Sequence, residues 1–159
     1  MIKMRYSTEA DLNIVKELIE NRFGFRESAY TDLNKRYLLM FKDGKLIGIT
    51  GCNPSPSYRG YEIDWTCLLE SEEGHGYITK MINEAIKGLD DKDIYCSCWH
   101  MPERDVVNLH HAMDALGFEC CVPCRVRYCA EHFDCSDTCQ RYKGKGCNCW
   151  EDLYIRRHK

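Results

Sequence analysis

The 159-residue sequence predicts a mixed α/β fold, a central sheet with helices packed on it. Three observations carry this. Two apolar runs, YLLMF and KLIGIT, flank Asp43-Gly44, a strong hairpin signal. Segments with helical spacing of apolar residues alternate with strand-like segments along the rest of the chain. The resulting order, β-α-β-β-β-α-β-α-β-β, fits a mixed α+β sheet rather than a doubly wound one.

Residues 2–6 read as a short strand. Thr8 follows as a helix N-cap with Asp11 three residues on, the capping-box spacing. Leu12, Val15, Leu18, Ile19 and Phe23 then recur at helical spacing, and Gly24 ends the run. Residues 25–35 are polar and mixed, a loop or short helix. After the hairpin over 37–50, NPSPSYRG (53–60) is a turn-rich connection. YEIDWTCLL (61–69) is a strand whose alternation predicts Glu62, Asp64, Thr66 and Leu68 on one face, and Ile63, Trp65, Cys67 and Leu69 on the other. ESEEGHG (70–76) is a loop. It opens into the helix YITKMINEAIKGL, with Ile78, Met81, Ile82 and Ala85 or Ile86 on the apolar side. DIYCSCW (93–99) is the next strand. Pro102 marks the start of a helix over 103–116, closed by Gly117 as a C-cap. FECCVPCRVRYC (118–129) reads as a strand kinked at Pro123, and CWEDLYIRR (149–157) as the last strand.

The length suits one domain over 1–159, large enough to bury a core without staples. A net charge of −3 gives no argument for nucleic acid or a membrane surface as partner. The basic stretch Arg156-Arg157-His158-Lys159 reads as a solvated tail. No run of about 18 apolar residues is present to span a membrane. Charges at Lys3, Arg5, Glu9 and Asp11 leave no apolar core for a secretory leader. The expectation is a cytoplasmic protein in a reducing compartment, where structural disulfides are rare.

The informative spot is the junction of strand 61–69, loop 70–76 and the helix from 77. Gly74 and Gly76 let the backbone approach a ligand closely, and the exposed amides of a helix N-terminus attract anions, pyrophosphate above all. A lone G-x-G is otherwise an ordinary turn; its place between a strand and a helix gives it weight.

Here the sequence resembles the GNAT family of acyl-CoA N-acyltransferases. RYSTEADLNIVKELI looks like the family's first strand and helix, and FKDGKLIGIT like its second and third strands. The stretch from Glu62 to Met81 looks like its acyl-CoA motif, whose loop runs Gln/Arg-x-x-Gly-x-Gly/Ala. NLHHAMDALGFE (108–119) looks like its helix-and-strand motif ending in Leu-Gly-Phe. Two departures stand out. Ser71 occupies the Gln/Arg place, and Glu72 and Glu73 make the loop acidic, which opposes an anion. Met113 occupies the place of the family's general-acid tyrosine, and its helix-start Asn falls near Val106, with Asn108 close by.

The resemblance implies an N-acetyltransferase that takes acetyl-CoA as co-substrate and a primary amine, in a small molecule or a peptide, as acceptor. It also implies splayed fourth and fifth strands, with the pantetheine arm in the gap. Cys67, Leu68 and Leu69 would line that arm, and Glu73, Gly74, His75, Gly76, Tyr77 and Ile78 would cradle the pyrophosphate. Homodimers are common in the family. The reaction needs a base for the ammonium, donors for the oxyanion and an acid for the thiolate. Glu62 matches a strand-borne glutamate that serves as base in several members, and Asp64 is the alternate. A solvated strand face is the plainer reading of both. His100, His110 and His111 are candidate proton carriers. His110 and His111 diverge by about 100° on a helix, so at most one faces the site. Cys98 is a further candidate acid.

Eight of the twelve cysteines fall between Cys120 and Cys149. In an extended strand Cys120 and Cys124 stand about 13 Å apart and cannot share one ion unless Pro123 bends the chain. Cys135, Cys139, Cys147 and Cys149 differ. They form two short pairs in a glycine-bearing loop, at about 130–149, that can converge as a tetrahedral thiolate site for zinc. Iron–sulfur ligation, redox thiols and disulfides remain open. Cys52, Cys67, Cys96 and Cys98 read as core-filling thiols. Two rival functions stand beside the enzyme: a catalytically inactive GNAT-like scaffold that docks a partner through the cysteine module, and a thiol redox or metal-sensing protein.

Overall fold

The computed structural model describes residues 1–23, 35–100, 109–126 and 150–158. β1 (Ile2–Tyr6) leads through a 3-10 turn at Glu9–Asp11 into α1 (Leu12–Phe23). Asp11 fixes that entry. Its Oδ2 accepts the Thr8 amide and the Thr8 hydroxyl, each at 2.8 Å, and its two oxygens take the fork of Arg5 at 2.7 Å each. Arg5, then Thr8, holds the Asp11 carboxyl far below the usual carboxylate range.

Asp43 and Gly44 both adopt left-handed backbone, with φ of 51° and 83°, as a two-residue hairpin turn requires. They join β2 (Tyr37–Lys42) to β3 (Lys45–Pro54). β4 (Tyr61–Leu68), α2 (Tyr77–Ala85), β5 (Ile94–His100), α3 (His110–Ala115), β6 (Glu119–Val126) and β7 (Trp150–Arg156) follow. Gly117, at φ 72°, ends the helix before β6, and the Phe118 amide turns back to the Met113 carbonyl at 2.9 Å. The expected elements at 25–35 and at the start of the 103–116 helix fall on residues 24–34 and 101–108, outside the described residues.

The strands form one seven-stranded sheet in the order β1-β2-β3-β4-β5-β7-β6. β4 and β5 run parallel; every other neighbouring pair is antiparallel. One face packs under α1, where Val15, Leu18 and Ile19 meet Leu39, Ile49 and Cys67. The other face packs under α2 and α3. There Met81 meets Met40, Ile47 and Leu68, while Ile82 and Met113 meet Ile63, Cys96, Phe118 and Tyr154.

The strict alternation expected along β4 does not hold. Ile49 of β3 opposes Cys67, yet Gly51 opposes Asp64, so β4 carries one extra residue there. The bulge sits at Trp65, which takes a left-handed φ of 42°. An inserted residue reverses a two-residue period. Ile63 and Leu68 therefore both reach the α2 side, while Cys67, with Trp65 packed against it, reaches the α1 side. Thr66 also turns to the α2 side, where its hydroxyl meets that of buried Thr50 at 2.6 Å. Among the described residues no helix is long and apolar enough to cross a membrane.

Candidate active site

The parallel pairing of β4 and β5 covers only Tyr61–Ile94, Glu62–Tyr95 and Ile63–Cys96. β4 continues to Leu68 and β5 to His100 without pairing again, so the two strands part just before the Trp65 bulge. A wedge opens in the middle of the sheet. Along it, among the described residues, no strand pairs with the edge of β4 that faces β5. Cys67 and Leu68 border this wedge with their backbone, because their side chains are buried in the two cores; Leu69 packs beside both.

At the end of β4 the chain makes a 3-10 turn at Glu70–Glu72 and then the Gly74-His75-Gly76 turn. Gly74 (φ 79°) and Gly76 (φ 71°) both need left-handed backbone, and Gly76 is the N-cap of α2. The first helical bond runs from the Lys80 amide to the Gly76 carbonyl at 3.2 Å. The amides of Tyr77, Ile78 and Thr79 thus have no carbonyl earlier in the helix and point out of its N-terminus. Cβ atoms built on Gly74 and Gly76 would meet nothing within 4 Å, so the space above the turn is open. His75 Nδ1 lies 2.9 Å from the Glu73 carbonyl, and its ring stacks on Tyr77 at 5.6 Å.

The acidic side chains of this loop are ion-paired. Glu73 is ion-paired to Arg22 at the end of α1, and Glu70 lies 3.8 Å from the same guanidinium. Glu72 accepts Lys42 of β2 at 2.8 Å. The expected conflict between an acidic loop and an anion site is therefore relieved by two cations from other elements. Arg22 and Lys42 were absent from the sequence-based candidates. Their partners stand 51 and 30 residues away, and nothing local to either residue announces them.

Glu62 and Asp64 project to the α1 side of β4, opposite Ile63. Glu62 is half-buried. Its Oε2 accepts the Ser55 hydroxyl at 2.9 Å, and among the described residues no hydrogen bond occupies its second oxygen. Next to it across the strands is Tyr95, whose ring stacks on Tyr58 at 4.4 Å. Asp64 is placed differently: Lys35 donates to its Oδ2 at 2.6 Å, and its Oδ1 is packed over Gly51, where a Cβ would come within 1.9 Å. Asp64 Oδ1 is buried away from solvent, so of the two carboxylates Glu62 is the better placed to take a proton.

The sequence pattern of the Acetyltransferase (GNAT) family matches residues 6–118. The chain is a member of the GNAT acetyltransferase family. Among curated proteins no sequence matches it. Solved structures share its fold at low identity. Escherichia coli ElaA aligns at 14% identity over 99% of this chain and 100% of its own, with a TM-score of 0.64. Arabidopsis thaliana Naa50, in complex with the bisubstrate analogue CoA-Ac-MVNAL, aligns at 13% identity over 98% of each chain, with a TM-score of 0.66. An acyl-CoA N-acyltransferase from Pseudomonas aeruginosa aligns at 13% identity over 99% of this chain and 100% of its own, with a TM-score of 0.67.

In this GNAT chain the expected proton donors lie on the α3 side of the sheet or in the core. Met113, in the tyrosine's place, is wholly buried in the α2–α3 core. His110 stands one turn earlier, exposed, with Nδ1 3.0 Å from the Tyr154 hydroxyl and Nε2 3.2 Å from Asp114. That places it on the α3 face, across the sheet from Glu62; the two are not brought together. His111 is exposed beside it. Burial, with Cys98 and Cys120 nearby, pushes the Tyr154 phenol up to about 12. Cys98 is buried, with its thiol 3.6 Å from Cys96 Sγ. That contact and burial hold Cys98 well above the usual thiol range, so it stays a protonated core group.

In this GNAT chain Cys52, Cys67, Cys96, Cys98 and Cys121 are free thiols. Among the described residues no group of three or more His, Cys, Asp or Glu side chains could hold a metal. The expected zinc ligands Cys135, Cys139, Cys147 and Cys149 lie outside the described residues, as does the fine structure of their segment. Its anchors are described: β7 begins at Trp150 opposite His100, at the end of β5 where the wedge is open.

Proposed function

We propose that the chain is an acyl-CoA-dependent N-acetyltransferase that moves an acetyl group from acetyl-CoA to a primary amine. The observation that carries the reading is the parting of β4 and β5 after Ile63 and Cys96, directly upstream of the Gly74–Gly76 turn. The pantetheine amides would pair with the open edge of β4 around Cys67, Leu68 and Leu69. The amides from Gly74 to Ile78 would take the diphosphate, at the positive end of α2. The thioester supplies an activated acyl carbon. Glu62 would receive the ammonium proton on its second oxygen, so that the neutral amine attacks, the C–N bond forms and the C–S bond breaks. The thiolate leaves and takes a proton.

The test is steady-state thiol release from acetyl-CoA with a panel of polyamines, aminoglycosides and short peptides, beside calorimetric titration with acetyl-CoA. Amine-dependent release supports the enzyme. No binding and no release would end the reading. The burial of Met113 favours a second reading, an inactive scaffold that has kept the cofactor site. Binding of acetyl-CoA without turnover on any acceptor would favour it.

A further inference from the structure

The loop that turns into α2 holds three carboxylates within four residues of Gly74, yet its charges are sorted in space. Glu73 and Glu70 go to Arg22, and Glu72 goes to Lys42. Arg22 is largely covered, at 21% side-chain exposure, and Glu72 is at 14%, so both contacts are set into the protein rather than waving in solvent. His75 and Lys80 are exposed, and neither is ion-paired among the described residues. Glu73 adjoins Gly74. Without its partner, a rotation about its side chain would carry a full negative charge to the mouth of the α2 N-terminus. There it would compete with a bound diphosphate for the same amides.

We propose that Arg22 and Lys42 are positioning residues for the cofactor loop, holding Glu73, Glu70 and Glu72 away so that an acidic sequence presents an anion-accepting face. This rests on the reading of the Gly74–Gly76 turn as a CoA diphosphate site. Two ways of helping are distinguishable. If Arg22 only adds a positive charge, the effect of removing Glu73's charge is the same whether or not Arg22 is present. If Arg22 holds Glu73 in place, removing Glu73's charge matters more once Arg22 is gone, because only then does the carboxylate reach the diphosphate.

The experiment is a double-mutant cycle on CoA affinity by calorimetry, with Arg22→Gln, Glu73→Gln and the pair, at low and at high salt. Arg22→Gln is expected to weaken CoA about tenfold at low ionic strength, and the loss to shrink as salt screens it. Glu73→Gln is expected to restore most of that loss in the Arg22→Gln background and to do distinctly less in the wild type. Equal effects of Glu73→Gln in both backgrounds, or an Arg22→Gln protein with wild-type affinity, would overturn the proposal. Lys42→Gln with Glu72→Gln repeats the cycle from β2, so the outcome does not depend on the Arg22 variant folding. A wild type that does not bind CoA would instead overturn the cofactor reading itself, whereas binding without coupling overturns only the positioning role.

Discussion

Ser55 Oγ donates to Glu62 Oε2 at 2.9 Å while its own lone pairs take the amides of Ser57 and Tyr58, each at 3.1 Å. The two amides leave the hydroxyl's single proton only one direction. Glu62 is therefore oriented from the 55–60 connection through one of its oxygens. Glu62→Gln keeps the shape and removes the proton acceptor. It should lower kcat about a hundredfold or more, with a smaller effect on KM for acetyl-CoA. Ser55→Ala should cost less, about tenfold at most, because the carboxylate stays. A Gln variant that turns over at the wild-type rate would remove Glu62 from the mechanism.

Asp11 ties β1 to the start of α1. Its carboxyl titrates below the unfolded-state value of about 3.9, so its contribution to stability is complete above that pH and is lost as pH falls through the lowered folded value. Asp11→Asn should cost about 1–2 kcal/mol at pH 7, the scale of a lost helix cap. The gap between variant and wild type should close as the pH drops toward 2. Urea unfolding at a series of pH values measures this; a constant gap would refute the linkage.

Thr50 and Thr66 hide a hydroxyl pair between β3 and β4, 2.6 Å apart. Changing Thr66 to valine strands the Thr50 hydroxyl away from water, a penalty of about 1–3 kcal/mol. Changing both removes the need for a partner. Thr66→Val alone should thus be less stable than Thr50→Val/Thr66→Val. Chemical denaturation of the single and double variants decides it, and simple additivity would count against the pair.

Burial pushes the thiols of Cys52 and Cys67 up to about 12. Cys98 is raised as well, and Cys96 is equally enclosed. Since the thiolate is the nucleophile, Cys52, Cys67 and Cys98 should resist iodoacetamide at pH 8 in the folded protein; Cys96 should resist it because it is buried, and all four should react once the protein is unfolded. Peptide mapping by mass spectrometry reads each position separately. Rapid native labelling at Cys67 or Cys96 would contradict the packing.

What was legible in the sequence was local chemistry. Asp43-Gly44 announces its turn through two residues able to take left-handed backbone, and Thr8 with Asp11 announces a helix start by spacing alone. The glycines at 74 and 76 were readable for the same reason. The bulge was not, because tryptophan at positive φ has no signature in a strand of alternating residues. The ion pairs from Arg22, Lys35 and Lys42 were hidden too, since each joins residues about thirty or more positions apart and only the folded sheet brings them together. A residue-by-residue charge count made the loop look hostile to an anion; its spatial arrangement removes that objection.

The bulge at Trp65 splices β4 from two reading frames. The first frame, up to Asp64, is in step with β5 and presents Glu62; the second, from Thr66, is out of step with it and runs along the open wedge. Substitutions within either frame leave the other untouched, but the loss of a single residue between 64 and 66 would merge them. Leu68 and Cys67 would exchange cores, and the approach to the Gly74 turn would be displaced with them. At this point of the chain the number of residues is under tighter constraint than their identity.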